Sequence, residues 1–374
     1  MADFTLPEFQ ARTAKAQALM ADQNLDALFF TTEAEIRYFT GFRTLFWQSP
    51  TRPWFLVIPK TEAPIAVIPS IGADLMGRTW VKDIRCWASP NPEDEGLSLL
   101  LDALKPYARV GTPMGAEASL RMPLADFDRI RRLLGCDFLD ATPLIQTLRM
   151  VKSAAEIEII RQICAIGSRT FARADQLFHP GQALSQAFRA FKVALLNEGA
   201  EEVPYLVGGA GQGGYGDVIS PASDAPLATG DVLMLDTGAT LKGYFCDFDR
   251  NFAIGQASVA AQQAHQTLWQ ATEAGLGAAR PGATCAELFG AMQTVIGGTS
   301  NVGRLGHGLG MQLTEWPSIA ANDHTVLRPG MVMTLEPSMA IGPDKMMVAE
   351  ENILITDAGA ELLTQRAPRD LRVI

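Results

Sequence analysis

Apolar residues recur at helical spacing from Leu6 to Asp22, and the run Leu25-Asp26-Ala27-Leu28-Phe29-Phe30 that follows reads as a buried strand. Two more short apolar runs, Trp54 to Ile58 and Ile65 to Ile68, are bounded by prolines. Pro59-Lys60-Thr61-Glu62 between them predicts a hairpin turn. Arg109-Val110-Gly111 and Asp137-Phe138-Leu139 predict further strands. Helix and strand signals alternating over about 140 residues predict a mixed α/β domain.

The pattern changes near Thr142 to Lys152, so two domains are expected, residues 1–146 and 147–374. From Ser153 the chain turns strongly helical. Ser153 is a candidate N-cap with Glu156 three residues on, the spacing of a capping box. Ile157, Ile160, Ile163, Cys164 and the stretch Ile166 to Phe171 keep helical spacing, and His179-Pro180-Gly181 is expected to stop the helix.

The second half contains an internal duplication. His179-Pro180-Gly181-Gln182-Ala183 opens one helix, and Arg280-Pro281-Gly282-Ala283-Thr284 opens another. Leu227-Ala228-Thr229-Gly230-Asp231-Val232-Leu233-Met234-Leu235-Asp236 lines up with Leu327-Arg328-Pro329-Gly330-Met331-Val332-Met333-Thr334-Leu335-Glu336. Each copy reads as a strand that ends in a carboxylate. Two such repeats around a pseudo-twofold axis would bring both carboxylates to one central cleft; two unrelated strands of similar pattern are the alternative.

Composition narrows the class. A chain of 374 residues exceeds what one core usually fills, and 48% hydrophobic with 19% charged residues excludes a disordered, collagenous or coiled-coil protein. Lys and Arg number 31 against 41 Asp and Glu, a net charge of −10, and no basic run offers a footprint for nucleic acid or an anionic membrane. Met1-Ala2-Asp3-Phe4-Thr5 has neither a basic nor an apolar leader region, and no uncharged apolar stretch is long enough to span a bilayer. The cysteines, Cys86, Cys136, Cys164, Cys246 and Cys285, are odd in number and form no CxxC pair. A reduced, cytoplasmic protein is expected.

Four carboxylates and a histidine then need explaining. Asp236 closes an apolar strand, and Asp247 lies in Gly243-Tyr244-Phe245-Cys246-Asp247-Phe248-Asp249-Arg250. Glu336 closes Val332-Met333-Thr334-Leu335, Glu350 follows Met346-Met347-Val348-Ala349, and His307 stands in Leu305-Gly306-His307-Gly308-Leu309-Gly310. Singly, each has an ordinary reading as a cap, turn or loop residue. Burying them together requires pairing, protonation or a metal. Only Arg250 and Arg304 lie near in sequence as counter-charges, whereas two divalent cations balance four carboxylates charge for charge. An oxygen-rich set with one imidazole suits Mn²⁺, Fe²⁺, Co²⁺ or Zn²⁺. Two such ions can activate water and polarise a carbonyl.

On these residues the sequence resembles the pita-bread family that includes aminopeptidase P, prolidase, methionine aminopeptidase and creatinase. The matching pieces are Asp236-Thr237-Gly238-Ala239, Gly243-Tyr244 through Asp247 and Arg250, His307-Gly308-Leu309-Gly310, Leu335-Glu336-Pro337 and Glu350-Glu351-Asn352. Met150-Val151-Lys152-Ser153 resembles the start of the catalytic domain, and Glu33 to Phe42 resembles the creatinase-type N-terminal domain. The resemblance implies a small α/β creatinase-type domain followed by a duplicated α+β pita-bread catalytic domain. It implies two divalent metal ions, manganese first, with zinc, cobalt or iron as alternatives. Asp236 would chelate one ion, His307 and Glu336 the other, and Asp247 and Glu350 would bridge them. Creatinase itself lacks this set, so the complete set argues against a metal-free mechanism.

Two departures bear on the reaction. Peptidases of the family usually carry a second His in a His-Glu-x-Pro segment, which here is Thr314-Glu315-Trp316-Pro317. They also usually carry a His about five residues before the position of Asp224, where this chain has Ile219 or a neighbour. Threonine cannot hold a proton at neutral pH. Glu350 is therefore the expected proton carrier, with Glu315 or Asp249 in support. Asp249, where the family commonly has Thr or Ser, is expected to orient a ligand. The leading expectation is hydrolysis of an Xaa-Pro-like amide in a small peptide or peptide-like metabolite. A dimethylsulfoniopropionate lyase or ectoine hydrolase type of reaction on a small polar osmolyte is the alternative. A homodimer is implied as well, with Leu45-Phe46-Trp47-Gln48-Ser49-Pro50 as the candidate loop reaching a neighbour's site.

Overall fold

A computed structural model describes residues 3–49, 51–298 and 303–374. The chain divides into two compact units, Met1–Arg149 and Met150–Ile374. The helix Thr142–Met150 runs through the expected 146/147 boundary, because its turns are continuous there.

The first unit is a six-stranded mixed sheet. Its strands are β1 (Ala27–Phe30), β2 (Phe55–Pro59), β3 (Ile65–Pro69), β4 (Asp83–Trp87), β5 (Arg109–Thr112) and β6 (Asp137–Asp140), in the order β4-β3-β2-β1-β5-β6. β1, β2 and β3 are buried along their full length, which is why they read as unbroken apolar runs rather than alternating ones. β2 and β3 pair antiparallel across the hairpin that Pro59 to Glu62 predicts. Helices Leu6–Asp22, Leu97–Leu104 and Leu124–Leu134 belong to the same unit. Trp47 is 7% exposed, with its ring 5.8 Å from Trp54 and the Arg121 guanidinium 4.9 Å above it. Trp54 and Arg121 enclose it within its own unit. Leu45 of the same segment is 71% exposed, and Pro50, like Met1 and Ala2, lies outside the described residues.

The second unit opens with the helix Ala154–Ala172. Both arms of its capping box form: Glu156 N–H donates to Ser153, and Ser153 N–H donates to Glu156. The helix ends at Ala172, not at His179, and a single turn, Ala174–Leu177, follows. The break lets Phe171 and Phe178 both pack against Phe191 and Phe252.

Strands β7 (Glu202–Gln212), β8 (Asp231–Leu241), β9 (Tyr244–Phe245) and β10 (Phe248–Ala253) build the first repeat's sheet. The second repeat's sheet holds β11 (His307–Gly308), β12 (Glu315–Ser318), β13 (Val332–Leu335), β16 (Glu351–Thr356) and β17 (Gly359–Leu362), with β14 (Ser338–Gly342) and β15 (Lys345–Val348) as a separate hairpin. The last strand, β18 (Arg372–Val373), returns to β10. Helices Leu184–Asn197 and Cys285–Ile296 follow the two Pro-Gly turns.

The duplication is written into the hydrogen bonds. Gly181 N–H donates to Leu227 O and Gly282 N–H to Leu327 O. Gly230 N–H donates to Ile254 O, and Gly330 N–H to Ile355 O. Ile254 N–H donates to Asp231 O, and Ile355 N–H to Met331 O. On this correspondence Asp236 matches Glu336. Asp249, five residues before Ile254, matches Glu350, five before Ile355.

Among the described residues no helix is long and apolar enough to cross a membrane.

Candidate metal centre

Asp236 stands in the middle of β8 rather than at a strand end, because β7 continues to pair with β8 as far as Thr240. Glu336 does follow directly on β13. Asp247 and Glu350 each precede the first residue of a strand, β10 and β16. The imidazole of His307 enters from the short β11.

A ladder of side-chain bonds joins the two sheets where the carboxylates meet. Asn251 Nδ2 donates to Val348 O at 2.6 Å, and Glu350 N–H donates to Asp249 Oδ1 at 3.0 Å. Asp247 N–H donates to Asn352 Oδ1 at 3.0 Å, while Asn352 Nδ2 returns a bond to Asp247 O. Residues 251, 249 and 247 thus meet 348, 350 and 352 in antiparallel order, and two of the three rungs use an asparagine amide. Arg250 locks the far side, donating to Glu350 O at 2.9 Å and to Glu351 Oε2 at 2.8 Å. Arg250 is therefore spent on Glu351 and backbone carbonyls.

The ligating atoms of Asp247, His307 and Glu350 all lie within 4.8 Å of one another, and all three residues are buried. His307 Nε2 is 3.4 Å from Asp247 Oδ2, and Nδ1 is 2.9 Å from Gly308 O. A proton on Nδ1 donated to that carbonyl leaves the Nε2 lone pair facing the carboxylates, the arrangement a metal-binding imidazole needs. Burial lowers the His307 pKa to about 4, so the ring is neutral at physiological pH. Gly306 has φ +136, and a Cβ there would lie 2.3 Å from Thr334 O, so only glycine lets this turn approach β13.

The carboxylates are pushed the other way. Burial, then the neighbouring Glu336, raise Asp236 to about 7, although hydrogen bonds from Tyr205 and with Asp247 ease the shift. Burial and their mutual repulsion hold Asp247, Asp249 and Glu350 well above the usual carboxylate range, and burial raises Glu336. Arg304 is the nearby cation that opposes these shifts at Asp247 and Glu336. Asp236 Oδ1, Asp249 Oδ2 and Glu350 Oε1 are buried without a hydrogen-bond partner. Anionic oxygens in such a place require protons or cations, and oxygen-rich donors with one neutral imidazole fit divalent transition metals.

The remaining candidates lie differently. Glu315 is buried and paired with Lys152 at 3.2 Å, and it accepts Gln312 N–H at 3.1 Å. Both of its oxygens are thus engaged, Oε2 by Lys152 and Oε1 by Gln312 N–H. Thr314 Oγ1 accepts from Arg304 Nη2 at 3.4 Å, so a guanidinium stands beside the position where the family's usual His is absent. Ile219 is 76% exposed. One contributor carried no local sequence signal: Tyr205, on β7 across from Gly238. Asn352, which closes the motif Glu350-Glu351-Asn352, is fully buried behind Asp247. Gly238 makes room for Tyr205, since a Cβ there would lie 2.9 Å from the tyrosine Cβ and 2.4 Å from Leu313 Cδ1.

A duplicated α/β unit that buries Asp247 and Glu350 around one neutral histidine defines a metallohydrolase of the pita-bread fold. Residues 158–357 match metallopeptidase family M24, and residues 12–151 match the creatinase/prolidase N-terminal domain. The chain belongs to metallopeptidase family M24. It is 28% identical to the probable dipeptidase PepE of Mycobacterium bovis, over 99% of this chain and 98% of that protein. It is 24% identical to the Xaa-Pro dipeptidase of Pyrococcus furiosus, over 95% and 97%. The crystal structure of dipeptidase PepE from Mycobacterium ulcerans superposes with a TM-score of 0.86 at 28% identity, covering 99% of both chains. The prolidase of Pyrococcus horikoshii OT3 shares the fold, with a TM-score of 0.83 at 22% identity over 96% of this chain and 99% of that one.

Proposed function

We propose that this chain is a dinuclear metal-dependent hydrolase of the prolidase and aminopeptidase P type, cleaving an Xaa-Pro-like amide bond in a small peptide or peptide-like metabolite. The buried cluster of Asp247, His307 and Glu350, together with the partnerless carboxylate oxygens of Asp236, Asp249 and Glu350, carries this reading. Asp236 would hold one divalent cation, His307 and Glu336 the other, with Asp247 and Glu350 shared between them. Dipeptidase and Xaa-Pro dipeptidase relatives that align along almost the whole chain support the substrate class. When bound, the cation pair would supply Lewis-acid polarisation of the scissile carbonyl and a lowered pKa for water.

The protein's own groups then divide the work. His307 contributes a neutral donor held in one tautomer by Gly308 O. Asn352 and Arg250 fix the backbone around Asp247 and Glu350, so those carboxylates need not reorganise during the reaction. Glu350 Oε1 accepts the proton that water releases as its oxygen attacks the carbonyl carbon, and returns it to the amide nitrogen as the C–N bond breaks. Proton transfer of this kind is typically worth about 10²–10⁴-fold. Arg304, held beside Thr314, offers a fixed positive charge to a carboxylate on the substrate.

That Arg304–Thr314 contact also supports a second reading. A threonine hydroxyl stands where a histidine would deliver the proton, so a substrate whose leaving group needs little acid help, such as a small polar osmolyte, fits the same centre. Mn²⁺-loaded protein assayed against Xaa-Pro dipeptides, ectoine and dimethylsulfoniopropionate separates the two. Dipeptide turnover as the dominant activity supports the first reading, and turnover of an osmolyte alone replaces it. We further infer a cytoplasmic homodimer from the family relationship; light scattering that reports a monomer would discard that part.

A further inference from the structure

Resting on the two-cation reading, we propose that Asp249 is a sixth ligand of the centre, its Oδ2 binding the cation held by Asp236. The ladder between the sheets shows what position 249 needs for architecture alone. Its rung is one hydrogen bond, Glu350 N–H to Asp249 Oδ1, and the other two rungs use asparagine amides. An asparagine at 249 would complete the rung without charge, so the second carboxylate oxygen is left over. That oxygen, Oδ2, is buried in a residue 2% exposed and has no hydrogen-bond partner.

Its direction is fixed by register. Asp249 pairs with Asp236 across β10 and β8, which puts both side chains on one face with Cβ atoms about 5 Å apart. Two ionised carboxylates directly opposite destabilise a sheet unless a cation lies between them. The internal symmetry agrees, because Asp249 is the first repeat's counterpart of Glu350. Each repeat then contributes an opposed pair, Asp236 with Asp249 and Glu336 with Glu350.

Asp249→Asn tests this, since the amide oxygen still accepts the Glu350 N–H while the anionic oxygen is lost. Titration of Mn²⁺ into metal-free protein by calorimetry, with elemental analysis after gel filtration, should show one of two ions bound at least about 10-fold more weakly than in the wild type. Electron paramagnetic resonance should change from an exchange-coupled Mn²⁺ pair to an isolated six-line ion at limiting metal. If Asp249 only positions Glu350, Asp249→Asn will bind both ions with wild-type affinity and an unaltered spectrum, and the proposal is overturned. Should circular dichroism show that variant unfolded, Asp249→Thr carries the same comparison. A wild-type protein that binds fewer than two ions would overturn the two-cation reading and this inference together. Two ions bound with equal affinity by both proteins would overturn this inference alone.

Discussion

Removing one charge from the centre should stabilise the metal-free protein. Asp236 holds its proton up to about pH 7 because burial and Glu336 oppose its ionisation, whereas an unfolded Asp titrates near 3.8. The folded-state pKa is the higher one. The associated stability is therefore fully present below pH 3.8 and is lost as pH rises through about 7. Three pKa units at about 1.4 kcal/mol each set the loss on the order of 4 kcal/mol by pH 8. Asp236→Asn removes the ionisation and keeps the shape. In the metal-free state the variant should match wild type near pH 4 and exceed it by up to that amount at pH 8. For a unit the size of Met150–Ile374 this corresponds to a Tm higher by roughly 10 °C. Saturating Mn²⁺ should reverse the order at pH 8, because only the wild type gains the full binding energy. Calorimetric scans of chelator-treated protein from pH 4 to 8, with and without Mn²⁺, make the measurement. A metal-free variant less stable than wild type at pH 8 would refute the reasoning, since Asp236 would then be ionised and satisfied by the protein itself.

Three further outcomes are expected. Asp247→Ala should lose most of both ions by elemental analysis, whereas Asp236→Ala and Glu336→Ala should each empty chiefly one site. Thr314→His should raise turnover of Xaa-Pro dipeptides at neutral pH by about 10²-fold or more if a missing general acid limits it, and a stopped assay with Gly-Pro reads this directly. Gly238→Ala should cost about 1–3 kcal/mol in urea unfolding, because the added methyl meets Leu313 and Tyr205, and it should weaken metal binding by moving Tyr205 away from Asp236.

The buried strands of the first unit, the capping box at Ser153 and the duplicated strand pattern were legible because each is a local signal. Apolar runs, cap spacing and repeated residues do not depend on what packs against them. The carboxylates and His307 stood out by the same logic, as charges where burial forbids charge without compensation. Strand limits were less legible. Asp236 reads as a strand end because charge usually marks one, yet the ladder with β7 carries β8 four residues further, to Thr240. The helix from Ser153 shows no break in its sequence, and only the packing of Phe178 explains why it stops at Ala172.

What tertiary structure alone decided was the pairing of groups far apart in the chain. Glu315 and Asp249 are both acids near the motifs, and nothing local separates them. The fold gives Glu315 a lysine 163 positions away and leaves one oxygen of Asp249 without a partner. Tyr205 reaches Asp236 only through the register of β7 on β8, and Asn352 reaches Asp247 only because the two sheets meet. Residue type and spacing set which chemistry is available. The free energy of a buried charge depends on the atoms a few ångströms from it, and long-range strand pairing chooses those atoms.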